Sequence, residues 1–337
     1  MKEEKLNYAL EKNLIDNESK IAIQEYDARL TQNQVPIIYN LRHIRKIFSI
    51  KKKEQEKYFG KERKKMYHTF CIPKKSGKYR VIEAPVDDLK AIQTWIKRNI
   101  LDRFDVSPFA KGFVRNESIL DNALPHVNKD LVICLDLKDF FPSIKYNKVF
   151  KIFNYIGYTK EVSHELTKLC TNYKNELPQG SPASPVLSNL VCLKLDSRIS
   201  KLGEKYKFSY TRYADDITIS GHKSIRNALP IIYEIIREEG FVVNEEKTRF
   251  QYKYQRQEVT GLLVNNKVSI TKGLKRELEN AIYYCGKYGV ASHMNKIECD
   301  RAYYKEHLFG IAYFIHMINP EQGNSYIEKL NRIEWSY

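Results

Sequence analysis

The stretch FSYTRYADDITIS, residues 208–220, sets two short runs of β-branched and aromatic residues on either side of Ala214, Asp215 and Asp216. That pattern predicts two strands folded into a hairpin with acid at its tip. Two carboxylates a few ångströms apart repel, so one tends to hold a proton unless a cation lies between them. A divalent metal removes the conflict, because hard cations take carboxylate oxygens as ligands. Aspartate is also an ordinary turn residue, and the pair by itself decides nothing.

Upstream, LVICLDL at 131–137 is a compact apolar run of strand length. Period two puts Val132, Cys134 and Asp136 on one face, so a lone aspartate ends a buried strand. Asp136 can converge with Asp215 and Asp216 if the two strands are neighbours in one sheet. Three carboxylates would then form a hard-oxygen site suited to magnesium, which keeps its other positions for water and phosphate.

Around this centre the chain reads as a mixture of strands and helices without regular βαβ alternation, which predicts an α+β fold. Residues 1–65 read as helical and polar, with basic stretches at Lys51–Lys53 and Lys61–Lys65. YHTFCIP and YRVIEAP, with KKSGK between them, predict a hairpin, and LKAIQTWIKRNI a helix. Helical patterns fill 146–170 and, after LPQGSPASP, 185–203; another ends at Gly240. FVV and RFQYKY carry strand signals, EVTGLLVNNKVSI a short hairpin, and 271–337 is mainly helical.

Lysine and arginine outnumber aspartate and glutamate 57 to 41, for a net charge of +16. Such a field attracts polyanions, and the interleaved 24 tyrosines and 15 phenylalanines suit single-stranded nucleic acid. The six cysteines form no CxxC pair or close Cys/His set, which predicts reduced, buried thiols rather than a zinc site. No run approaches the roughly 20 apolar residues needed to span a bilayer. The expectation is a cytoplasmic protein with no membrane partner.

Several motifs in order narrow the reading. Asp136 in DLKDFFPSI, then LPQGSP, then Tyr213-Ala214-Asp215-Asp216 resemble the palm signature of reverse transcriptases, and the likeness extends from about residue 65 to 265. The resemblance implies a right-hand polymerase architecture of fingers, palm and thumb, with an antiparallel palm sheet carrying the active site. It implies an N-terminal helical segment at 1–65, fingers at 66–130, a palm at 131–268 with a fingers insert around 146–180, and a helical RNA-binding thumb at 269–337.

By the same resemblance, Asp136, Asp215 and Asp216 hold two Mg2+ ions, with Mn2+ able to substitute. Phe141 lies where the family puts a ring under the incoming sugar, which would exclude a 2′-hydroxyl and select deoxynucleoside triphosphates. Arg80 matches a triphosphate-binding arginine, with Lys78 beside it; a guanidinium grips phosphate through a bidentate fork where lysine acts as a point charge. Gln179 and Gly180 resemble the loop under the nascent base pair, and Tyr213 belongs to the same nucleotide-binding group. Lys247 matches a lysine that protonates the leaving pyrophosphate; the plainer alternative is a surface ion pair with Glu245 or Glu246.

Two shorter strings point within the family. Asn122-Ala123-Leu124-Pro125-His126 fits an NAxxH pattern and Val259-Thr260-Gly261 a VTG pattern that recur in bacterial retron enzymes. That likeness implies a cognate structured noncoding RNA, priming from a 2′-hydroxyl, a branched RNA–DNA product, and phage defence with an effector protein. Asn122, His126, Val259, Thr260, Gly261, Lys272, Lys275 and Arg276 are the expected nucleic-acid-binding residues, although His126 can equally serve structure. A group II intron-like or diversity-generating reverse transcriptase would share the palm. An RNA-binding scaffold that restrains a toxic effector is the reading from another class.

Overall fold

The computed structural model describes residues 3–73, 77 and 79–335. The chain divides into two compact units, one of 1–114, 137–199 and 232–244, the other of 115–136, 200–231 and 245–337.

The first unit is mostly helical and carries one antiparallel hairpin, β1 (Tyr67–Pro73) and β2 (Tyr79–Pro85), bounded as the sequence predicts. The helical patterns over 146–170 form two helices, Tyr146–Ile156 and Lys160–Cys170, separated where Gly157 adopts φ +112 and ends the first. Arg63 is the buried tie of this unit. Its guanidinium donates to the carbonyls of Lys168, Thr171 and Asn172 at 3.0, 2.6 and 2.8 Å. Those carbonyls close the helix Lys160–Cys170, so a cation meets both its orphan acceptors and the negative end of its dipole.

Gln93 extends the same polar interior, donating to the Leu169 carbonyl and accepting from Ser181. The loop at 178–183 is thereby fastened to the hairpin and its following helix, Asp87–Asn99. FVV at 241–243, expected as a strand, is not one: Val243 makes only an isolated bridge to Leu137, and the Val242 carbonyl accepts from the Lys138 amide. The Phe241 ring packs on Phe140 instead.

The second unit is built on a four-stranded antiparallel sheet ordered β4 (Ser209–Tyr213), β5 (Asp216–Gly221), β3 (Leu131–Asp136), β6 (Arg249–Tyr252). β3 is central and buried along its whole length, which is why its sequence is a continuous apolar run rather than an alternating one. Each of Leu131, Val132 and Ile133 is fully covered, a burial that stabilises by about 1.5–3 kcal/mol per side chain. A tight hairpin of β7 (Glu258–Val259) and β8 (Leu262–Leu263) turns at Thr260 and Gly261, both at positive φ. Val259, Leu262 and Val264 pack on Val132, Cys134 and Ala123, with Phe314 and Ile318 against the same cluster.

The C-terminal helices Lys272–Tyr288, Val290–Lys296, Tyr304–Ile318 and Pro320–Asn331 enclose their own core of Leu278, Ala281, Leu308, Ala312 and Leu330. Among the described residues no helix is long and apolar enough to cross a membrane.

Candidate active site

β3 and β5 pair so that Asp136 lies directly opposite Asp216. The same register places Cys134 opposite Thr218 and Val132 opposite Ser220, so the face read from period two carries the acids at its end. β4 and β5 are joined by two residues, with Tyr213 paired to Asp216 and Ala214 at φ +57. A two-residue hairpin needs a positive φ at its first turn position, and Ala214 supplies it without a large side chain to strain. Asp215 follows at the tip.

A cleft of about 260 Å³ opens at this sheet end, lined by Asp136, Asp216, Glu246, Lys247 and Arg249 among others. Asp136 is buried, whereas Asp216 reaches solvent through the cleft but is crowded on its other sides. That crowding, then the charges of Asp215 and Asp136, pushes the Asp216 carboxyl up to about 6; Arg249 and Lys247 act in the opposite sense. Lys247 donates to both Asp136 oxygens, at 2.9 and 2.8 Å, and so pairs with the strand-end acid rather than with Glu245 or Glu246.

Among the described residues, no three metal-ligating side chains stand as a preformed group. The donor set nevertheless fits a divalent ion: hard carboxylate oxygens on adjoining strand ends, crowded enough that one is driven toward its protonated form. The Lys247 ammonium occupies the Asp136 oxygens with the same sign of charge that a metal would bring.

Arg249 was not anticipated from sequence. Its signal was the strand RFQYKY, but only the pairing of β6 with β3, Arg249 opposite Cys134, puts it on the acidic face.

The other expected residues fall into three groups. In the first unit, Arg80 is exposed on β2, opposite Ile72, while Lys78 lies outside the described residues. The Gln179 carbonyl accepts from the Glu83 amide at 2.9 Å, and Gly180 adopts φ +136, where an added Cβ would meet the Glu83 carbonyl oxygen at 2.9 Å. The glycine therefore permits a close approach of its backbone to that of Glu83. Phe141 is half-buried, its ring 5.4 Å from buried Phe140.

In the second unit, NAxxH and VTG come together. Asn122 Nδ2 donates to Thr260 Oγ1 at 3.3 Å, and Thr211 Oγ1 donates to the Asn122 carbonyl. His126 is enclosed, its Nδ1 2.6 Å from Ser220 Oγ and its Nε2 2.8 Å from Thr211 Oγ1. Burial, with the charge of Lys129 second, lowers its pKa to about 3, so the ring is neutral. Asn122, His126 and Val259 are buried: Asn122 bonds the hairpin at Thr260, His126 bonds the sheet, and Val259 packs in a cluster with Val132 and Cys134 of β3; Gly261 is exposed. Lys272, Lys275 and Arg276 open the long helix Lys272–Tyr288, whose Thr271 cap accepts from the Leu274 amide.

A family model described as "Reverse transcriptase (RNA-dependent DNA polymerase)" matches residues 72–270. The retron Ec86 reverse transcriptase of Escherichia coli is 38% identical over 80% of this chain and 82% of its own. The chain belongs to the retron reverse transcriptases.

This reverse transcriptase is thus an RNA-directed DNA polymerase with the α+β right-hand fold of its family, which uses divalent metal ions. It is also 35% identical to the retron Mx162 and 36% to the retron Mx65 enzyme of Myxococcus xanthus, over 80% and 78% of its length. It spans 61% and 64% of those two relatives. A solved telomerase from Candida albicans overlays with a TM-score of 0.46 at 12% identity, covering 77% of this chain and 54% of that one, which is too loose to bear on function.

Proposed function

We propose that Asp136, Asp215 and Asp216 hold a pair of Mg2+ ions, replaceable by Mn2+, and that DNA is extended at this sheet end from deoxynucleoside triphosphates. The observation that carries the reading is the register pair of Asp136 and Asp216, with Asp215 adjoining and Asp216 pushed up to about 6. When bound, the metals activate the primer hydroxyl and offset the charge of the triphosphate and departing pyrophosphate.

The chain's own groups supply position and charge. Lys247 is the cation that balances Asp136, and once released from it the ammonium serves the leaving pyrophosphate. Arg80 and Lys78 hold the triphosphate, the Gln179–Gly180 loop and Tyr213 bear the nascent pair, and the Phe141 ring rejects a 2′-hydroxyl. Residues 66–130 are the fingers, 131–268 the palm with its insert at 146–180, and 269–337 the thumb, with 1–65 packed as a helical extension.

The template is a cognate structured noncoding RNA. Synthesis starts from the 2′-hydroxyl of a guanosine within it and yields a branched RNA–DNA hybrid, in the cytoplasm, as part of a phage-defence system with an effector protein. Support for this comes from the retron relatives and from the packing of NAxxH on VTG, whose cluster also takes in Val268 and Ile270 just before the helix of Lys272, Lys275 and Arg276. Debranching and sequencing the nucleic acid that copurifies with the protein tests it: a short DNA joined 2′,5′ to RNA is expected, and linear DNA alone overturns the priming assignment. Asp215→Asn and Asp216→Asn should each abolish that DNA while the protein still folds; undiminished synthesis would remove the metal assignment.

A further inference from the structure

Phe113 is in the wrong conformation for its chemistry. Its φ is +63, a region that favours glycine and penalises a bulky aromatic residue, and among the described positive-φ residues it is the one aromatic. Its side chain is also 50% exposed, although burying a phenylalanine is strongly favourable. Strain of this kind persists where surrounding structure imposes it, and such outliers gather at functional sites.

The imposing contact is visible. Fully buried Asn189, on the helix Ser184–Val191 that follows the LPQGSP loop, donates from Nδ2 to the Gly112 carbonyl at 2.9 Å. It thereby fixes the backbone one residue before Phe113. The Phe113 ring then faces Phe141, with centroids 6.1 Å apart and planes tilted by 49°, within the range of a favourable aromatic pair. Phe141 also meets Phe140 at 5.4 Å, edge to face, and Phe140 stacks on Phe241 at 5.6 Å. Phe141 therefore contacts both a buried ring and a ring held out in solvent through a strained backbone.

We propose that Phe113 is a specificity-determining positioning residue: held out by Asn189, it braces Phe141 and so sets how strongly the enzyme rejects ribonucleotides. This rests on the reading of Phe141 as the ring under the incoming sugar. With the brace removed, Phe141 gains rotamer freedom and can yield to a 2′-hydroxyl.

The test is single-nucleotide extension of an oligo(dT) primer on poly(rA) by the full chain, comparing dTTP with UTP. For Phe113→Ala the ratio of kcat/KM for dTTP over UTP should fall roughly three- to tenfold, the worth of one aromatic pair, mostly through a lower KM for UTP. Phe141→Ala should lower the ratio further, and adding Phe113→Ala to it should change nothing more. Phe113→Tyr should restore the native ratio. Should Phe113→Ala lower the melting temperature, Phe113→Gly, which relieves the backbone at φ +63, carries the same comparison.

An unchanged ratio in Phe113→Ala and Phe113→Gly, alongside a lowered ratio in Phe141→Ala, overturns the brace alone. Full additivity of the two substitutions overturns it as well. An unchanged ratio in Phe141→Ala removes the sugar-gate reading, and the brace with it.

Discussion

The His126 ring makes the stability of the four-stranded sheet depend on pH in a calculable way. It is fully covered between Thr211 and Ser220, and burial, aided by Lys129, takes its pKa from 6.5 to about 3. The folded ring thus stays neutral through mild acid, whereas the unfolded chain takes up a proton below about pH 6.5. Between those two values the unfolded state binds more protons, so folding stability falls as the pH falls, by about 1.4 kcal/mol per unit. The contribution is fully present above pH 6.5, and by pH 5.0 roughly 2 kcal/mol of it is gone.

His126→Asn keeps a donor and an acceptor but does not titrate. At pH 8 it should weaken the sheet by about 1–2 kcal/mol, since the shorter amide cannot span both hydroxyls. At pH 5 that difference should vanish. Hydrogen exchange of the Ile217 and Ile219 amides, in β5 beside the contact, reads the opening of this sheet. Compared at matched pH, the wild-type to variant protection ratio should shrink about tenfold per unit below 6.5. A ratio that stays level from pH 8 to pH 5 would refute the claim that a neutral, enclosed imidazole joins these strands.

Arg63→Lys should lower the melting temperature, by about 2–4 kcal/mol of stability, because a point ammonium cannot replace a fork shared among the Lys168, Thr171 and Asn172 carbonyls; an unchanged melting curve would count against that role. Gly180→Ala should cost about 1–3 kcal/mol, since φ +136 and a Glu83 carbonyl 2.9 Å from the new Cβ both oppose it, and the Glu83 amide should exchange faster. Lys275→Ala with Arg276→Ala should weaken binding of the copurifying RNA and reduce the slope of log affinity against log salt by about 1–2; an unchanged slope would exclude them from phosphate contact.

Local chemistry made much of this legible from sequence. The hairpins at 67–85 and 209–221 were bounded correctly because alternation and turn residues act over a few positions. Asp136 was placed on the acidic face by period two alone, and register then delivered it opposite Asp216. What escaped was long-range. Nothing within GFVVNEEKTRF tells that Lys247 reaches Asp136, or that Phe241 leaves its apparent strand to stack on Phe140. Arg249 and Asn189 were missed for the same reason, since each acquires its meaning from a partner more than 70 positions away: Arg249 from Cys134 and Asn189 from Gly112.

β3 is apolar on both faces, so hydrophobic burial would tolerate its being shifted by one residue, although the shift would turn Asp136 away from the cleft. The polar side chains on that sheet face remove the ambiguity. Gln251 Nε2 reaches Cys134 Sγ of β3 at 3.3 Å, and His126, joined to β3 by the four residues 127–130, fits between Thr211 of β4 and Ser220 of β5, so a shift of β3 against its neighbours pulls on both contacts. A slip would leave a buried imidazole and an amide without partners, an error far costlier than any apolar mismatch. The histidine of NAxxH thus acts as a check digit, rejecting sheets in which Asp136 would no longer face Asp216.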